Sequence, residues 1–369
     1  MSAVQRIRGH RESSVHRWLS RFALLVLALA AEPRALAQST GAGWTRISGG
    51  RGTGCAHDSA FAFFVHLGDP RRLMVYFQGG GACWNGTNCD LRGRPTFDPQ
   101  VDSTDNPTRA PGILDLANPA NPIRDYSIVF IPYCTADLHL GARERTYADT
   151  VRGHRRTYRI RHSGAANAGG VLAWVYDHFD RADVVFVTGG SAGAIPSPVF
   201  AAQIARHYPR ARVVQLGDGG GGYRAPAIPA ILARWGATEV LRRESAYRSL
   251  GAAALTFESF YVVAARDAPG VRFAQYNNAE DKTQLFFLEQ LGIRDARLQG
   301  LLARNLAEIR RANPRFRSYT APGKAHTILV TPQFYALTVD GVAIRDWVAA
   351  LLDGRVVRNV GDSLLWPSR

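Results

Sequence analysis

Long hydrophobic runs are scarce in this chain of 369 residues. After residue 37, no stretch approaches the roughly 20 consecutive apolar residues that a membrane-spanning helix needs. The sequence also lacks an internal repeat and a sustained heptad pattern, which argues against solenoid and coiled-coil architectures. With 46% hydrophobic and 20% charged residues, the composition is that of a globular protein that can bury a large core.

Lysine is almost absent, because Lys282 and Lys324 are the two lysines among 45 basic residues. Arginine therefore supplies nearly all of the formal net charge of +15, and its densest cluster in the mature chain lies at residues 152–161. Such a basic face would suit an acidic polysaccharide or an anionic surface. The alternative is an arginine-rich composition on a solvated face. No nucleic-acid-binding module accompanies the charge, so we expect no nucleic-acid partner.

The first 37 residues have the pattern of a secretory signal peptide. Several arginines precede an apolar stretch at residues 22–31, and Ala35-Leu36-Ala37 offers a small-residue cleavage site. The apolar stretch is too short for a stable membrane anchor. We therefore expect a secreted protein, extracellular or periplasmic, whose mature chain forms a single domain over residues 38–369.

Cysteine is scarce, and the four that occur are Cys55, Cys83, Cys89 and Cys134. In an oxidising compartment they would form two disulfides, for which three connectivities exist. The short loop between Cys83 and Cys89 is easily closed, and that pairing would leave Cys55 for Cys134. A zinc site is the alternative, although the spacings include no Cys-x-x-Cys pair. We expect neither a metal ion nor a cofactor.

The most informative motif is Gly-x-Ser-x-Gly at residues 189–193, directly after the apolar run at residues 183–187. A helical pattern over residues 198–207 follows. Strand, motif and helix in this order are typical of a nucleophile elbow, the tight turn that lifts a reactive serine above the edge of a sheet. A glycine-rich turn with an incidental serine is the alternative. The context favours Ser191 as the nucleophile of a hydrolase, with the N–H of Ala192 available to an oxyanion.

A serine nucleophile needs a base, and in α/β-hydrolases the base follows the serine in the chain. His207 and His326 are the two histidines after Ser191. His207 would end the helix that leaves the elbow, facing the helix dipole and pointing away from the serine. His326 lies in a predicted loop late in the chain. We therefore predict His326 as the base.

Three carboxylates compete for the role of the acid that orients the base. Asp281 follows a predicted strand and precedes a helix, from which it could reach His326, and its neighbour Glu280 could serve instead. Asp218 follows the strand immediately after the nucleophile helix. It could also be a turn residue that fixes the floor of the pocket. The later position in the chain favours Asp281.

Glycines also follow the buried strand at residues 73–77, in the run Gln78-Gly79-Gly80-Gly81-Ala82. Backbone N–H groups in such a loop can converge on a substrate oxygen without obstruction by side chains, as in an oxyanion hole. The alternative, a phosphate-binding loop, lacks the lysine and the Ser/Thr of a Walker motif.

Predicted strands alternate with predicted helices, which favours an α/β fold with a mostly parallel central sheet flanked by helices. Residues 94–122, rich in Pro, Asn, Asp and Thr, are expected to form a long surface excursion beside the site. Residues 222–268 are expected to insert as a helical cap over the active-site edge. Strands are predicted at residues 62–65, 73–77, 127–131, 184–187, 213–216 and 272–276, and helices at residues 166–178, 198–207, 295–312 and 344–352.

Four segments of the sequence resemble the pectin acetylesterase family, the Notum-like carboxylesterases of the α/β-hydrolase superfamily. They are YFQGGGACWN at residues 76–85, IPYCT at residues 131–135, GSAG at residues 190–193 and DKTQL at residues 281–285. The resemblance extends from Trp44 to the C-terminus in the family's order. It implies an α/β-hydrolase fold, with Ser191 as nucleophile, Asp281 as acid and His326 as base.

The same resemblance implies backbone oxyanion donors at Gly80, Gly81 and Ala192, and it supports the pairing of Cys83 with Cys89. From it we expect a serine carboxylesterase that hydrolyses O-acyl esters, with O-acetyl groups on a carbohydrate favoured. The substrate would be an acylated small molecule or polysaccharide. The alternatives are a lipid or long-acyl esterase, and an exported binding protein that has the same fold but no activity.

Overall fold

A nine-stranded sheet organises the part of the chain that the computed structural model describes, which is residues 37–41, 43–92, 96–151 and 153–365. The predicted signal peptide lies outside these residues, except for Ala37. Within the described residues the strands, numbered in chain order, are β1 (Ala37–Gly41), β2 (Trp44–Ser48), β3 (Ala62–His66), β4 (Asp69–Phe77), β5 (Tyr126–Ile131), β6 (Arg143–Val151), β7 (His154–His162), β8 (Val184–Gly190), β9 (Arg212–Asp218), β10 (Arg272–Asn278), β11 (Arg317–Ala321), β12 (Thr338–Val339) and β13 (Val342–Ala343). The α-helices are α1 (Gly164–His178), α2 (Ser197–His207), α3 (Ile228–Trp235), α4 (Ala237–Leu241), α5 (Phe257–Asp267), α6 (Lys282–Gln290), α7 (Leu298–Ala312) and α8 (Ile344–Leu352).

The strand order of the central sheet is β1-β2-β3-β5-β4-β8-β9-β10-β11. The six strands from β5 to β11 in this order run parallel, and β1, β2 and β3 add an antiparallel edge. The expected α/β-hydrolase fold with a mostly parallel sheet is confirmed. Because the strands are parallel, their carboxyl ends meet at one edge, where loops from distant parts of the chain come together.

Both faces of the sheet are buried, as is usual for parallel strands. In β4, Leu73, Val75 and Phe77 point to a core that also contains residues of α1, α2, α5 and α7. The alternate residues Met74 and Tyr76 point to a second core on the opposite face, to which α8 contributes. Because successive side chains of a strand point to opposite faces, this alternation determines on which face of the sheet each side chain at the carboxyl edge lies.

Several details differ from the sequence prediction, which contains none of β1, β2 and β11 of the central sheet. Helix α7 begins at Leu298 rather than at residue 295, because Asp295 has a left-handed backbone with φ 51° and stands outside the helix. The hairpin of β6 and β7 was not predicted. It buries Tyr147, Tyr158 and Ile160 on one face only, and its other positions are mostly charged or polar. The arginines between the buried positions therefore interrupt the apolar alternation that would predict a strand.

Two long segments follow β9 and β4. Residues 222–268 contain α3, α4 and α5, and residues 96–122 contain short 3₁₀ turns at Ser103–Asp105, Pro107–Arg109 and Gly112–Leu114. None of the helices in the described residues is both long and apolar enough to cross a bilayer.

Candidate active site

Ser191 stands at the turn between β8 and α2. Its φ of 51° lies in the left-handed region, which is strained for a residue with a side chain and is characteristic of a nucleophile elbow. The flanking Gly189 and Gly193 pass so close to strand β4 that a Cβ on either would collide with the carbonyl oxygen of Phe77. The two glycines therefore allow the sharp turn, and the turn presents Ser191 at the carboxyl edge of the sheet.

His326 lies in the loop after β11 and is hydrogen-bonded to Asp281. The distance from His326 Nδ1 to Asp281 Oδ2 is 2.7 Å, and the Asp281 side chain is fully buried. Because a carboxylate oxygen accepts, Nδ1 carries the proton in this pair. The other ring nitrogen, Nε2, is buried without a hydrogen-bond partner among the described residues, and His326 and Ser191 line the same cleft.

Both carboxylate oxygens of Asp281 accept hydrogen bonds that hold the side chain in place. It caps the N-terminus of α6, where its Oδ1 accepts from the backbone N–H groups of Thr283 (2.8 Å) and Gln284 (3.0 Å). Its Oδ2 accepts from the side-chain amide of Gln284 at 2.9 Å, as well as from His326. The neighbouring Glu280 is exposed. The geometry therefore favours Asp281 over Glu280 as the partner of the imidazole.

Asp218, the other carboxylate considered from the sequence, is fully buried at the end of β9 and contacts the same loop differently. Its carboxylate accepts from the backbone N–H groups of Ile328 (3.0 Å) and Leu329 (2.9 Å), just after His326. Burial raises the pKa of Asp218 to about 7, against the hydrogen bonds from these two N–H groups, which lower it. Asp218 therefore anchors the loop that carries His326, which fits the role of a residue that fixes the floor of the pocket.

His207 does not approach this edge of the sheet. It ends α2, is exposed, and stacks on the ring of Tyr176 with centroids 3.8 Å apart. The structure thus brings Ser191, His326 and Asp281 to one place and leaves His207 elsewhere.

The loop after β4 provides backbone donors beside Ser191. Gly81 has φ 79°, and a Cβ on it would collide with the carbonyl oxygen of Thr96. The N–H groups of Gly80 and Gly81 donate to no acceptor among the described residues. The N–H of Ala192 belongs to the first turn after β8, where backbone donors have no partner within the helix. The three residues predicted to hold an oxyanion all line cavities that Ser191 shares.

Gln78, the first residue of this loop, is fixed by four hydrogen bonds, of which its backbone N–H donates one to the carbonyl oxygen of Ile131 at 3.0 Å. Its side-chain oxygen accepts from the N–H of Tyr133 at 2.9 Å, and its side-chain amide donates to Asp105 at 2.9 Å. Its backbone carbonyl lies 2.9 Å from His139 Nε2, which must donate because a carbonyl can only accept. Burial lowers the pKa of His139 to about 4, so the ring is neutral.

His139 belongs to a segment of unusual backbone conformation. Ala136, Leu138 and His139 all have left-handed φ angles, of 57°, 58° and 57°, and all three are buried. Strain of this kind persists only where surrounding structure enforces it, and it concentrates at functional sites. His139 could not be predicted from the sequence, because nothing in the motif order marks it.

Two disulfides brace the same region. One joins Cys55 to Cys134, directly before the strained segment, and the other joins Cys83 to Cys89, directly after the glycine loop. No cysteine among the described residues is free, and no group of three or more His, Cys, Asp or Glu side chains there could hold a metal ion.

Two cavities meet at Ser191. The first, which we name the apolar cavity, has about 440 Å³ of empty space, including the part open to solvent. Its walls include Trp84, Ile195, Ile231, Trp235, Phe257 and Phe287. Apart from Ser191 and Tyr223, its side chains carry no hydroxyl group and no charge, so it suits a hydrocarbon group.

The second cavity, which we name the polar cleft, has about 1150 Å³ of empty space, including the part open to solvent. It contains His326 and lies under the excursion of residues 94–122, whose polar side chains contribute to its wall. These are Thr96, Thr104, Asp105, Asn106 and Arg109, with Gln78 from the glycine loop. Apolar side chains such as Phe130, Phe287 and Val330 complete the wall, so the cleft combines hydrogen-bonding groups with apolar surface.

Comparison with known proteins identifies relatives. A family model described as Pectinacetylesterase matches residues 44–226, which include Ser191, the glycine loop and all four cysteines but end before Asp281 and His326. The palmitoleoyl-protein carboxylesterase NOTUM of Schmidtea mediterranea is 28% identical over 134 residues, which are 34% of this chain and 23% of that protein. The chain thus matches less than a quarter of the length of this curated relative.

Proposed function

Because the chain belongs to the pectinacetylesterase family, we propose that it is an exported serine carboxylesterase with Ser191 as its nucleophile. The family supports ester hydrolysis and an ester-bearing substrate. One observation carries the assignment of residues. His326 uses Nδ1 to bind the buried Asp281, and its unpartnered Nε2 lies in the cleft that also contains the strained Ser191.

In the proposed reaction, His326 Nε2 takes the hydroxyl proton of Ser191 while the serine oxygen attacks the ester carbonyl carbon. The N–H groups of Gly80, Gly81 and Ala192 hold the resulting oxyanion. Asp281 stabilises the imidazolium. The imidazolium then gives its proton to the alcohol oxygen, the carbon–oxygen bond breaks, and an acyl-enzyme remains.

Water then hydrolyses the acyl-enzyme, with His326 again acting first as base and then as acid. His326 Nε2 removes a proton from a water molecule that attacks the acyl carbonyl, and the same donors hold the second oxyanion. Collapse of this intermediate returns the proton to the Ser191 oxygen and releases the carboxylic acid. No redox step and no additional reactant besides water is needed.

The two cavities support a division of the substrate. The acyl group would occupy the apolar cavity, and a carbohydrate alcohol would occupy the polar cleft, whose side chains can bind hydroxyl groups. We favour an O-acetyl or other short acyl ester of a carbohydrate. In this arrangement α3 and α5 form the proposed cap of a single domain over residues 38–369, since Ile228, Ile231, Trp235 and Phe257 line the apolar cavity.

The apolar cavity also favours a second candidate, an esterase for longer acyl chains. Each methylene that a longer chain buries contributes about 0.8 kcal/mol, or about four-fold in kcat/KM if it is retained in the transition state. We would therefore measure hydrolysis of p-nitrophenyl esters of increasing chain length, beside acetylated pectin and xylan. A maximum at acetyl supports the first candidate, whereas a rise of several-fold per methylene supports the second.

The residues are tested by Ser191→Ala and His326→Ala, with His207→Ala as the matched control. We expect each of the first two variants to lose about 10³-fold or more in turnover while remaining folded. The control should keep wild-type activity, because His207 stacks on Tyr176 away from the cleft. Labelling by a fluorophosphonate probe should vanish in Ser191→Ala. Retention of a tenth of the activity in either site variant would reject the assignment.

The proposed export is supported by the two disulfides, which persist in oxidising compartments. Peptide mapping of the secreted protein without reduction should find these two pairs and no alkylatable thiol. Two reactive thiols in the purified protein would contradict an oxidising destination.

A further inference from the structure

Six arginines converge on a concave surface at the edge of the sheet opposite the candidate active site. We name this surface the arginine cradle. Its members are Arg210, Arg212, Arg272, Arg315, Arg317 and Arg355. The concavity has about 1040 Å³ of empty space, including the part open to solvent, and Phe273 and Leu351 lie at its base. The part of this space in which a water molecule fits is about 450 Å³, which is within the size range of ligand sites.

The register of the sheet arranges three of these arginines in a row. Arg212, Arg272 and Arg317 are the first residues of β9, β10 and β11. Arg272 pairs with Val214, two residues after Arg212, and Arg317 pairs with Ala274, two residues after Arg272. Each strand therefore begins two residues further along the sheet than its neighbour. All three side chains therefore leave the same face. From strand spacing and rise, successive Cα atoms are ~8 Å apart.

The charge of the cradle is almost uncompensated. Arg355 pairs with Asp353 at 3.0 Å, and the other five arginines form no ion pair within the described residues. The cluster that is densest in the sequence differs in this respect. There, Arg159 pairs with Glu144 and Asp58, and Arg156 pairs with Asp90. Three of the five unpaired arginines of the cradle are strand starts that lie far apart in the sequence.

Backbone carbonyl groups hold some of the guanidinium groups in place. Arg272 donates to the carbonyl oxygen of Arg355 at 2.9 Å, and Arg317 donates to that of Val357 at 2.8 Å. Arg317 also donates to the carbonyl oxygens of Pro314 and Phe316. Each guanidinium has five N–H donors, so most donors of the cradle as a whole stay available for a ligand. The side chains of Arg210 and Arg212 make no hydrogen bond within the described residues. The cradle is therefore partly preorganised and has unused donors.

We propose that the arginine cradle is a second binding site, which takes an acidic polysaccharide whose carboxylates repeat along the chain. Guanidinium groups match carboxylates in geometry and bind them through two hydrogen bonds at once. A row of regularly spaced cations fits a polymer with repeated anionic groups better than a single phosphate. The carbohydrate class of the ligand rests on the proposed function. A polymer bound here would retain the protein on acidic material and leave the polar cleft open.

The test compares two double variants that remove the same charge. Arg210→Gln with Arg212→Gln alters the cradle through two arginines that have no hydrogen-bonded role in the fold. Arg155→Gln with Arg248→Gln removes two exposed arginines elsewhere that form no ion pair within the described residues. Binding to polygalacturonate is measured by calorimetry at two NaCl concentrations. We expect the cradle variant to bind at least about ten-fold more weakly and the control less than about two-fold.

Salt should weaken the binding of the wild-type protein, because the charges at the cradle are exposed. Equal weakening in the two double variants would overturn the proposal, since it would mean diffuse attraction by net charge. Equal affinity for neutral dextran, tighter binding of dextran sulfate or of inorganic phosphate, or no binding to polygalacturonate would also overturn it. Thermal unfolding establishes that both variants are folded.

Hydrolysis of p-nitrophenyl acetate by the same preparations separates this inference from the proposed function. We expect the cradle variant to hydrolyse this ester at the wild-type rate, because the cradle lies at the other edge of the sheet. A wild-type protein without esterase activity that still binds polygalacturonate through the cradle would reject the function and keep the site. A protein that hydrolyses the ester but does not bind polygalacturonate would keep the function and reject the site.

Discussion

Replacement of Asp281 by asparagine is the most discriminating change in the candidate site, because the surroundings dictate how the new amide must sit. The oxygen at the Oδ1 position accepts from the backbone N–H groups of Thr283 and Gln284, so the amide oxygen must stay there. The new NH₂ group then takes the place of Oδ2. It faces Nδ1 of His326 and the side-chain amide of Gln284.

Gln284 cannot turn to accept from that NH₂ group, because its own oxygen accepts from the N–H of Gly222 at 2.7 Å. The imidazole of His326 must therefore accept at Nδ1 and carry its proton on Nε2. In this tautomer Nε2 cannot take the proton of Ser191. The same exchange of tautomer in a serine protease triad lowers kcat by about 10⁴-fold, and we expect a similar loss for Asp281→Asn.

The expected change in stability is much smaller. Asparagine caps a helix about as well as aspartate, so α6 keeps its N-cap. The variant loses the hydrogen bond between Gln284 and Oδ2, worth about 1–3 kcal/mol for a charged acceptor, and should melt a few degrees lower. The assay is kcat/KM for p-nitrophenyl acetate beside a thermal melt. Glu280→Gln is the control, since this exposed neighbour should keep full activity. If Asp281→Asn keeps a tenth of the activity, or Glu280→Gln loses it, the assignment of the acid is wrong.

Two further changes test the residues that support the site. Burial raises the pKa of Asp218 to about 7, so its contribution to stability is full below pH ~4 and is lost as the pH rises through ~7. The melting temperature of the wild type should therefore exceed that of Asp218→Asn most at pH 4, and the gap should narrow towards pH 8; parallel curves would contradict the raised pKa. His139→Ala removes the hydrogen bond to the carbonyl of Gln78 and should lower kcat about ten-fold or more with little change in KM, because the oxyanion donors lose their placement. His139→Gln can place an amide donor near the same position and should restore part of kcat, whereas a loss that appears only as a lower melting temperature would make His139 merely structural.

Local signals explain what could be predicted from the sequence. The elbow at Ser191 is specified within about ten residues, since a strand, two glycines and a helix leave one conformation for the turn. The parallel sheet follows from alternating strands and helices in the same way. The fold was therefore predictable. The structure brings His326 and Asp281 to the same edge as Ser191, as the chain order predicts. Their catalytic roles remain a prediction.

Features that depend on sheet register were not predictable. Asp218 ends β9 and Asp281 follows the neighbouring β10. Chain order and the family resemblance favoured Asp281 as the partner of the imidazole, but the backbone N–H groups that bind Asp218 could not be predicted. The hairpin of β6 and β7 was missed because it buries one face only, so charged residues interrupt its apolar pattern. The arginine cradle could not be predicted either, because the alignment of Arg212, Arg272 and Arg317 depends on the offset between β9, β10 and β11.

In the proposed reaction, the meeting of two cavities at Ser191 would also set the order in which molecules enter and leave the site. An acyl group seated in the apolar cavity would stay attached to Ser191 after the first step, while the alcohol would leave through the wider polar cleft. Water would then reach the acyl carbonyl through the same cleft, without passing the acyl chain. The second nucleophile would therefore enter where the first product leaves.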